Sequence, residues 1–187
     1  LYAEDNQEAY DNMVMAYNIA EHPDVMLPIM ICQDGFITSH AVMNMQLLDD
    51  LTVKEFVGER QPVDYLLNPD ETFAVGPYAV SDYYMESRKA QAHAMENAKK
   101  VILDVAKKFE KISGRKYGLI EEYKMHDAEY AVVIIGSAAG TTKDAIDRMR
   151  ANGDKVGLIK VRSFRPFPGE EIAASLKKCK AVAVMDR

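Results

Sequence analysis

Two short blocks hold most of the side chains in this sequence that can do chemistry. Asp34-Gly35-Phe36-Ile37-Thr38-Ser39-His40 sets a carboxylate, two hydroxyls and an imidazole directly behind the apolar run Leu27-Pro28-Ile29-Met30-Ile31-Cys32. An imidazole in that company can act as a general acid or base, or position a diphosphate; a capping or interface hydrogen bond is its commoner use. Thr38 and Ser39 suit caps for the following segment, and Asp34 suits a turn before Gly35. Asp34, Gly35, Phe36, Thr38, Ser39 and His40 are therefore candidates for a cofactor cleft or an interface. The second block is Val161-Arg162-Ser163-Phe164-Arg165-Pro166-Phe167-Pro168. Arginines at a strand end can pair with a carboxylate across a subunit interface or with a phosphate. The alternative is a turn locked by Phe164, Pro166 and Phe167 with both arginines in solvent. We read Arg162, Phe164 and Arg165 as interface residues.

A third stretch, Gly136-Ser137-Ala138-Ala139-Gly140-Thr141-Thr142, joins an apolar run to a helical one. Small residues and free N–H groups at a helix start attract anions. The spacing is neither GxGxxG nor a Walker loop. Gly136, Ser137, Gly140 and Thr141 are thus weak anion-site candidates, and a tight turn closed by a threonine cap explains them as well. No second histidine or cysteine stands at metal-ligand spacing from His40, so no metal site is expected. Cys32 and Cys179 lie inside apolar runs, which suits small buried hydrophobes in a reducing compartment. Two cysteines cannot ligate an iron–sulfur cluster on their own.

The elements that must carry these blocks follow from periodicity. Asn6 to about His22 reads as a helix capped by Asp5 or Asn6, with Met13, Ala16, Tyr17 and Ala20 on one face. Leu27–Cys32 reads as a strand covered on both faces, ending at Asp34-Gly35 where open α/β sheets bind ligands. Leu51–Phe56 suits a helical turn capped by Thr52. Pro62, Pro69, Gly76 and Pro77 then punctuate a long segment. It is too rich in Tyr65, Leu66, Leu67, Phe73, Tyr78, Tyr83 and Tyr84 for a solvated linker, and reads as an arm packed over a neighbouring surface. A helix from about Met85 to Ser113, closed by Gly114, carries the stripe Met95, Ala98, Ile102, Val105 and Phe109. Strands at 131–136, 155–161 and 181–185, alternating with helices at 141–151 and 169–179, predict parallel pairing with right-handed crossovers. Residues 1–50, 51–112 and 113–187 form the expected divisions.

The net charge of −6 argues against a nucleic-acid partner. No apolar run approaches the roughly 18 residues that span a bilayer. A cytoplasmic protein is expected. The first residue is Leu, and the last strand ends at Asp186-Arg187. The sequence reads as a piece of a longer chain, with material missing at both ends.

Asn6-Gln7-Glu8-Ala9-Tyr10-Asp11, the two blocks at 34–40 and 162–168, Phe73 to Tyr84, Ser113 to Gly118, Gly136-Ser137 and Ala181 to Arg187 resemble, in order, the alpha subunit of pyruvate:ferredoxin oxidoreductases. The resemblance covers essentially the whole chain. It implies the end of a thiamine pyrimidine-binding-like doubly wound domain, then an arm and long helix, then a transketolase C-terminal-like α/β domain. It implies oxidative decarboxylation of a 2-oxo acid with coenzyme A, yielding acyl-CoA and reduced ferredoxin, or the reverse synthesis. Pyruvate is the nearest substrate; 2-oxoglutarate or a branched-chain 2-oxo acid is the alternative. Thiamine diphosphate would be shared with a partner subunit, with the iron–sulfur clusters and Mg2+ on partner beta, gamma or delta subunits. The resemblance places the catalytic glutamate, threonine and arginine upstream of residue 1, so no catalytic residue is expected here and these 187 residues alone should be inactive. Glu4 and Glu8 then read as acids that compensate a helix dipole. A non-catalytic nucleotide- or flavin-binding module on residues 131–185, and a structural interaction subunit, are the competing classes.

Overall fold

The computed structural model describes residues 1–60, 65–76 and 78–186; Pro62, Pro77 and Arg187, each part of an expectation above, lie outside them. Helix α1 spans Asn6–Ala20, and the Asp5 carboxylate caps it by accepting from the Glu8 N–H at 2.8 Å. Its inner face is not the expected one. Met13 and Tyr17 are about half exposed, at 51% and 49%, while Glu8, Asp11, Asn12, Val14, Met15, Ala16 and Ile19 are buried. The inward stripe is therefore polar at one end and apolar at the other.

The Leu27–Cys32 strand is the main departure. Those residues form one isolated parallel bridge, Tyr2 to Cys32, with the Cys32 N–H on Leu1 O at 2.8 Å and the Ala3 N–H on Cys32 O at 2.8 Å. Pro28 brings no donor to a ladder, and Met30 is 75% exposed. Leu27, Ile29 and Ile31 still pack on the helical core, so the apolar run serves as an extended strap rather than a two-sided strand. A one-turn helix α2, Ile37–His40, follows. Helix α3, Asp50–Val57, is capped by Asp49 rather than Thr52: the Asp49 carboxylate accepts from the Thr52 N–H at 3.0 Å and its hydroxyl at 2.6 Å.

Helix α4 runs Ser81–Ser113 and ends at Gly114, whose left-handed φ of 72° suits glycine. Ala98, Val101, Ile102, Val105, Ala106 and Phe109 are its buried stripe, packed with α1, α3 and Leu119 in one core. Phe56 of α3 meets Phe109 edge-on at 5.5 Å. The aromatics from Tyr65 to Tyr84 do not join this core, and Tyr78 is 91% exposed.

The rest is a four-stranded sheet of order β1-β3-β2-β4, with β1 Ile120–Tyr123, β2 Tyr130–Ile135, β3 Val156–Val161 and β4 Ala181–Met185. The three expected strands pair in parallel, β2 with both β3 and β4. Strand β1 was not foreseen, and it pairs antiparallel with β3. Its Ile120-Glu121-Glu122-Tyr123 lacks an apolar signature because Glu121 and Glu122 make ion pairs or hydrogen bonds at the sheet edge. Helix α5, Ala138–Ala151, packs on one face through Ile146 and Ala139; helix α6, Gly169–Leu176, covers the other through Ile172 and Leu176. The mixed α/β class holds, with the sheet confined to the second half of the described residues.

Candidate functional site

Glu8, Asp11 and Asn12 stand three and four apart on α1, so they share one face; Glu8 and Asn12 meet the end of β3, and Asp11 meets Arg115 and Tyr117 before β1. Opposite them, Lys160 and Arg162 are 4% and 2% exposed. The Arg162 guanidinium donates through Nε to Glu8 Oε1, through Nη2 to Asn12 Oδ1 at 2.6 Å, and through Nη1 to Gly118 O at 2.6 Å. Its plane lies 4.3 Å from the centre of the Tyr117 ring. Lys160 reaches Glu8 at 3.1 Å and Glu4 at 2.6 Å, and also pairs with Glu121. Lys143 of α5 closes the ring, at 2.8 Å from Glu4 and 2.6 Å from Glu121. Beside it, Arg115 grips Asp11 with Nε at 2.6 Å and Nη2 at 2.9 Å, and the Tyr117 hydroxyl donates to the same carboxylate at 2.6 Å.

Charge in this cluster balances. Three carboxylates, Glu4, Glu8 and Glu121, meet three cations, Lys143, Lys160 and Arg162, and Asp11 meets Arg115. Burial pushes the Glu8 carboxyl up, but Arg162 and Lys160 outweigh it and hold the group below the usual glutamate range. Burial likewise lowers Lys160, and its carboxylates more than restore it, so the ammonium sits above its usual value. Burial and the Asp11 carboxylate both raise the Tyr117 phenol. Each of the cluster's four cations is matched by an acid of the same chain. The cluster holds charge rather than awaiting an anionic ligand.

Arg162, expected at an interface, pairs with Glu8 of this same chain, and Glu8, expected as a helix-end acid, is the buried partner of that pair. A lysine and an arginine closing the apolar run Val156–Val161, and an acid–acid–amide set at i, i+3, i+4 on α1, were the available signals. Ser163 is fully buried, and its hydroxyl donates to Pro166 O at 2.9 Å. Arg165 is exposed, as are Phe164 at 53% and Phe167 at 58%, the two rings meeting edge-on at 6.3 Å. Of the two arginines in the second block, then, only the first turns inward.

The first and third blocks meet. Asp34 Oδ2 accepts from the Ser137 N–H at 3.0 Å and from the Ser137 hydroxyl. A Cβ on Gly136 would lie 3.1 Å from Asp34 Oδ1, and Gly136 has φ +77°. The start of α5, read as an anion site or a threonine-capped turn, thus receives a carboxylate from 103 residues away. Helix α5 begins at Ala138, three residues before the expected Thr141, so Gly140 and the exposed Thr141 lie inside its first turn. Around Asp34, the Ser39 hydroxyl accepts from the Phe36 N–H at 2.9 Å and lies 2.8 Å from His40 Nδ1. His40 stacks on Phe36 at 5.3 Å, and Phe36 is 76% exposed with φ 70°. Thr38 is 3% exposed, and its hydroxyl has no partner among the described residues.

Two family models match the chain in sequence. Residues 1–107 match the "Pyruvate flavodoxin/ferredoxin oxidoreductase, thiamine diP-bdg" model, and residues 128–187 match "Pyruvate:ferredoxin oxidoreductase core domain II". The chain belongs to the pyruvate flavodoxin/ferredoxin oxidoreductase family. Pyruvate synthase subunit PorA of Thermotoga maritima is 46% identical over all of this chain and 48% of its own length. The alpha subunit of the NADH-dependent phenylglyoxylate dehydrogenase of Aromatoleum evansii is 40% identical over all of this chain and 47% of its own. The chain thus spans about half the length of the curated relatives it matches. A solved 2-oxoglutarate:ferredoxin oxidoreductase of Magnetococcus marinus aligns over 58% of this chain and 16% of its own, at 22% identity and a TM-score of 0.40. The Glu8–Arg162 pair joins the two matched segments, and so does Asp34–Ser137. No helix among the described residues is long and apolar enough to cross a membrane.

Proposed function

We propose that this chain is part of the alpha subunit of an enzyme that oxidatively decarboxylates pyruvate with coenzyme A. Acetyl-CoA and CO2 would be the products, with the electrons passing to ferredoxin, or the enzyme would run in reverse as a pyruvate synthase. The observation that carries this reading is the ordered match of both family models, together with 46% identity over the full chain to a pyruvate synthase subunit. The 40% identity to a phenylglyoxylate dehydrogenase subunit favours a second reading, the same reaction class on a different 2-oxo acid.

Thiamine diphosphate is the cofactor of this proposal, and it would supply the carbanion chemistry at the 2-oxo carbon. The described residues do not fit its diphosphate end. The start of α5 is taken by the Asp34 carboxylate, and the cations of the ionic cluster are each matched by an acid. We therefore assign the diphosphate, Mg2+ and the iron–sulfur clusters to beta, gamma and delta partner subunits, and derive no catalytic step from this chain. Residues 1–50 would close the pyrimidine-binding-like unit, 51–112 supply the arm and long helix, and 113–187 form the transketolase C-terminal-like unit. Gly35, Phe36, Ser39 and His40 lie exposed, which suits a cofactor-cleft margin or subunit contact for the 34–40 loop. Phe164, Arg165 and Phe167 would meet a partner subunit, with Arg162 anchoring the strand from which they project. A cytoplasmic assembly fits this set of partners.

The test is coenzyme-A-dependent, anaerobic reduction of a viologen dye by the intact complex, offered pyruvate, phenylglyoxylate and 2-oxoglutarate separately. Rapid reduction with pyruvate alone is the expected result. Rapid reduction with another acid would transfer the assignment to that substrate, and none with any 2-oxo acid would overturn it.

A further inference from the structure

We propose that Glu8, Lys160 and Arg162, ringed by Glu4, Glu121 and Lys143, form an ionic latch that fixes the register between the two family-matched segments, so that they move as one body. The acids Glu4 and Glu8 come from the first segment, the cations Lys143, Lys160 and Arg162 from the second, and Glu121 from the stretch between them. An apolar contact tolerates small slips, because any neighbouring methyl group serves nearly as well as another. A buried ionic contact does not. A shift of one residue along α1 moves a side chain about 1.5 Å along the helix and about 100° around it, which would strand Glu8 away from both cations at a heavy desolvation cost. The surroundings make the latch selective as well as strong. Asn12 and the Gly118 carbonyl take the two remaining prongs of the Arg162 fork, and the Tyr117 ring covers its face. Backbone contacts set the same register: the Tyr2 N–H donates to Arg162 O at 2.8 Å, and the Ser137 N–H donates to Asp34 at 3.0 Å. Polar and ionic groups buried at a contact are known to specify register at some cost in stability.

The test uses the intact complex and amide hydrogen exchange in α1 and β3, which read the latch without reference to turnover. Three forms are compared: Glu8→Gln, Arg162→Met, and the two combined. Lys160 keeps Glu4 and Glu121 in all three, so the combined variant leaves the cluster neutral, whereas each single variant leaves it with one unbalanced buried charge. Each single substitution is expected to speed exchange in both α1 and β3 on the order of a hundredfold, because losing one partner of a buried pair is the expensive case. The combined variant should exchange much more slowly than the product of the single effects. Multiplicative effects, or changes confined to the substituted element, would overturn the latch. Should Arg162→Met fail to assemble, Arg162→Gln with and without Glu8→Gln gives the same comparison with a polar group kept at the site.

Discussion

Gly136 offers the sharpest test of how the two segments meet, because two separable costs act on one methyl group. Gly136→Ala places an L side chain at φ +77°, and its Cβ would lie 3.1 Å from Asp34 Oδ1. The left-handed backbone alone costs about 1–2 kcal/mol for a residue with a Cβ. The contact then makes the Asp34 carboxylate give by a few tenths of an ångström, which weakens its hydrogen bond to the Ser137 N–H by about 1 kcal/mol. Together these predict about 2–3 kcal/mol, which at 1.4 kcal/mol per decade is roughly 30- to 150-fold faster amide exchange in the first turn of α5. Hydrogen exchange of residues 137–142 in the intact protein measures it directly. The diagnostic comparison is Gly136→Ala made in an Asp34→Ala background, where the contact and the cap are already gone. There the substitution should cost only the backbone share, about 1–2 kcal/mol. An equal cost in both backgrounds would refute the claim that Asp34 and Gly136 are matched to each other, and a neutral Gly136→Ala would refute the backbone argument as well.

Further outcomes are expected. Arg162→Lys keeps the charge but loses the planar fork to Asn12 and Gly118 O, and should destabilise by about 2–3 kcal/mol in chemical denaturation of the intact protein. Phe109→Ala, at a fully buried ring in the α1–α4 core, should cost about 3–5 kcal/mol by the same measurement. Gly35→Ala, with open space around the added methyl and no left-handed φ, should change stability by less than about 0.5 kcal/mol. The latch sets a pH window. Glu8 is held below its ordinary 4.5, so its contribution is full above that value and lost as pH falls through the depressed one. Lys160 is held above its ordinary 10.5, so its contribution is full below that value and lost as pH rises beyond it. Amide protection in α1 should therefore be flat between these limits and fall outside both; a decline centred near neutrality would contradict the assignment.

The α/β half was legible because its signals are local. Apolar runs of five or six residues alternating with short helices gave β2, β3, β4, α5 and α6 close to their true bounds, and Gly114 closed α4 at the expected place. What stayed hidden was set by partners far along the chain. The carboxylate at the start of α5 comes from Asp34, and the polar part of the inner face of α1 lies opposite Lys160 and Arg162. Leu27–Cys32 carried the composition of a central strand, yet with only Leu1–Ala3 beside it and Pro28 within it, the ladder reduces to one bridge. The site residues divide in the same way. Asp34 and Arg162 stood out from their blocks, but their partners Ser137 and Glu8 were visible only once the fold brought them together.

Helix α4 carries a mechanical consequence. Its residues 81–93 are exposed on every side, and the buried stripe begins at Ala98. At 1.5 Å per residue the free portion extends about 25 Å from its first firm anchor, which makes it a cantilever. A tilt of about 5° at the anchored end would swing the tip by about 2 Å over that length. Fluorescent or spin labels at Ser81 and Ser87 would therefore read out motions of the Phe109 core too small to detect where they arise.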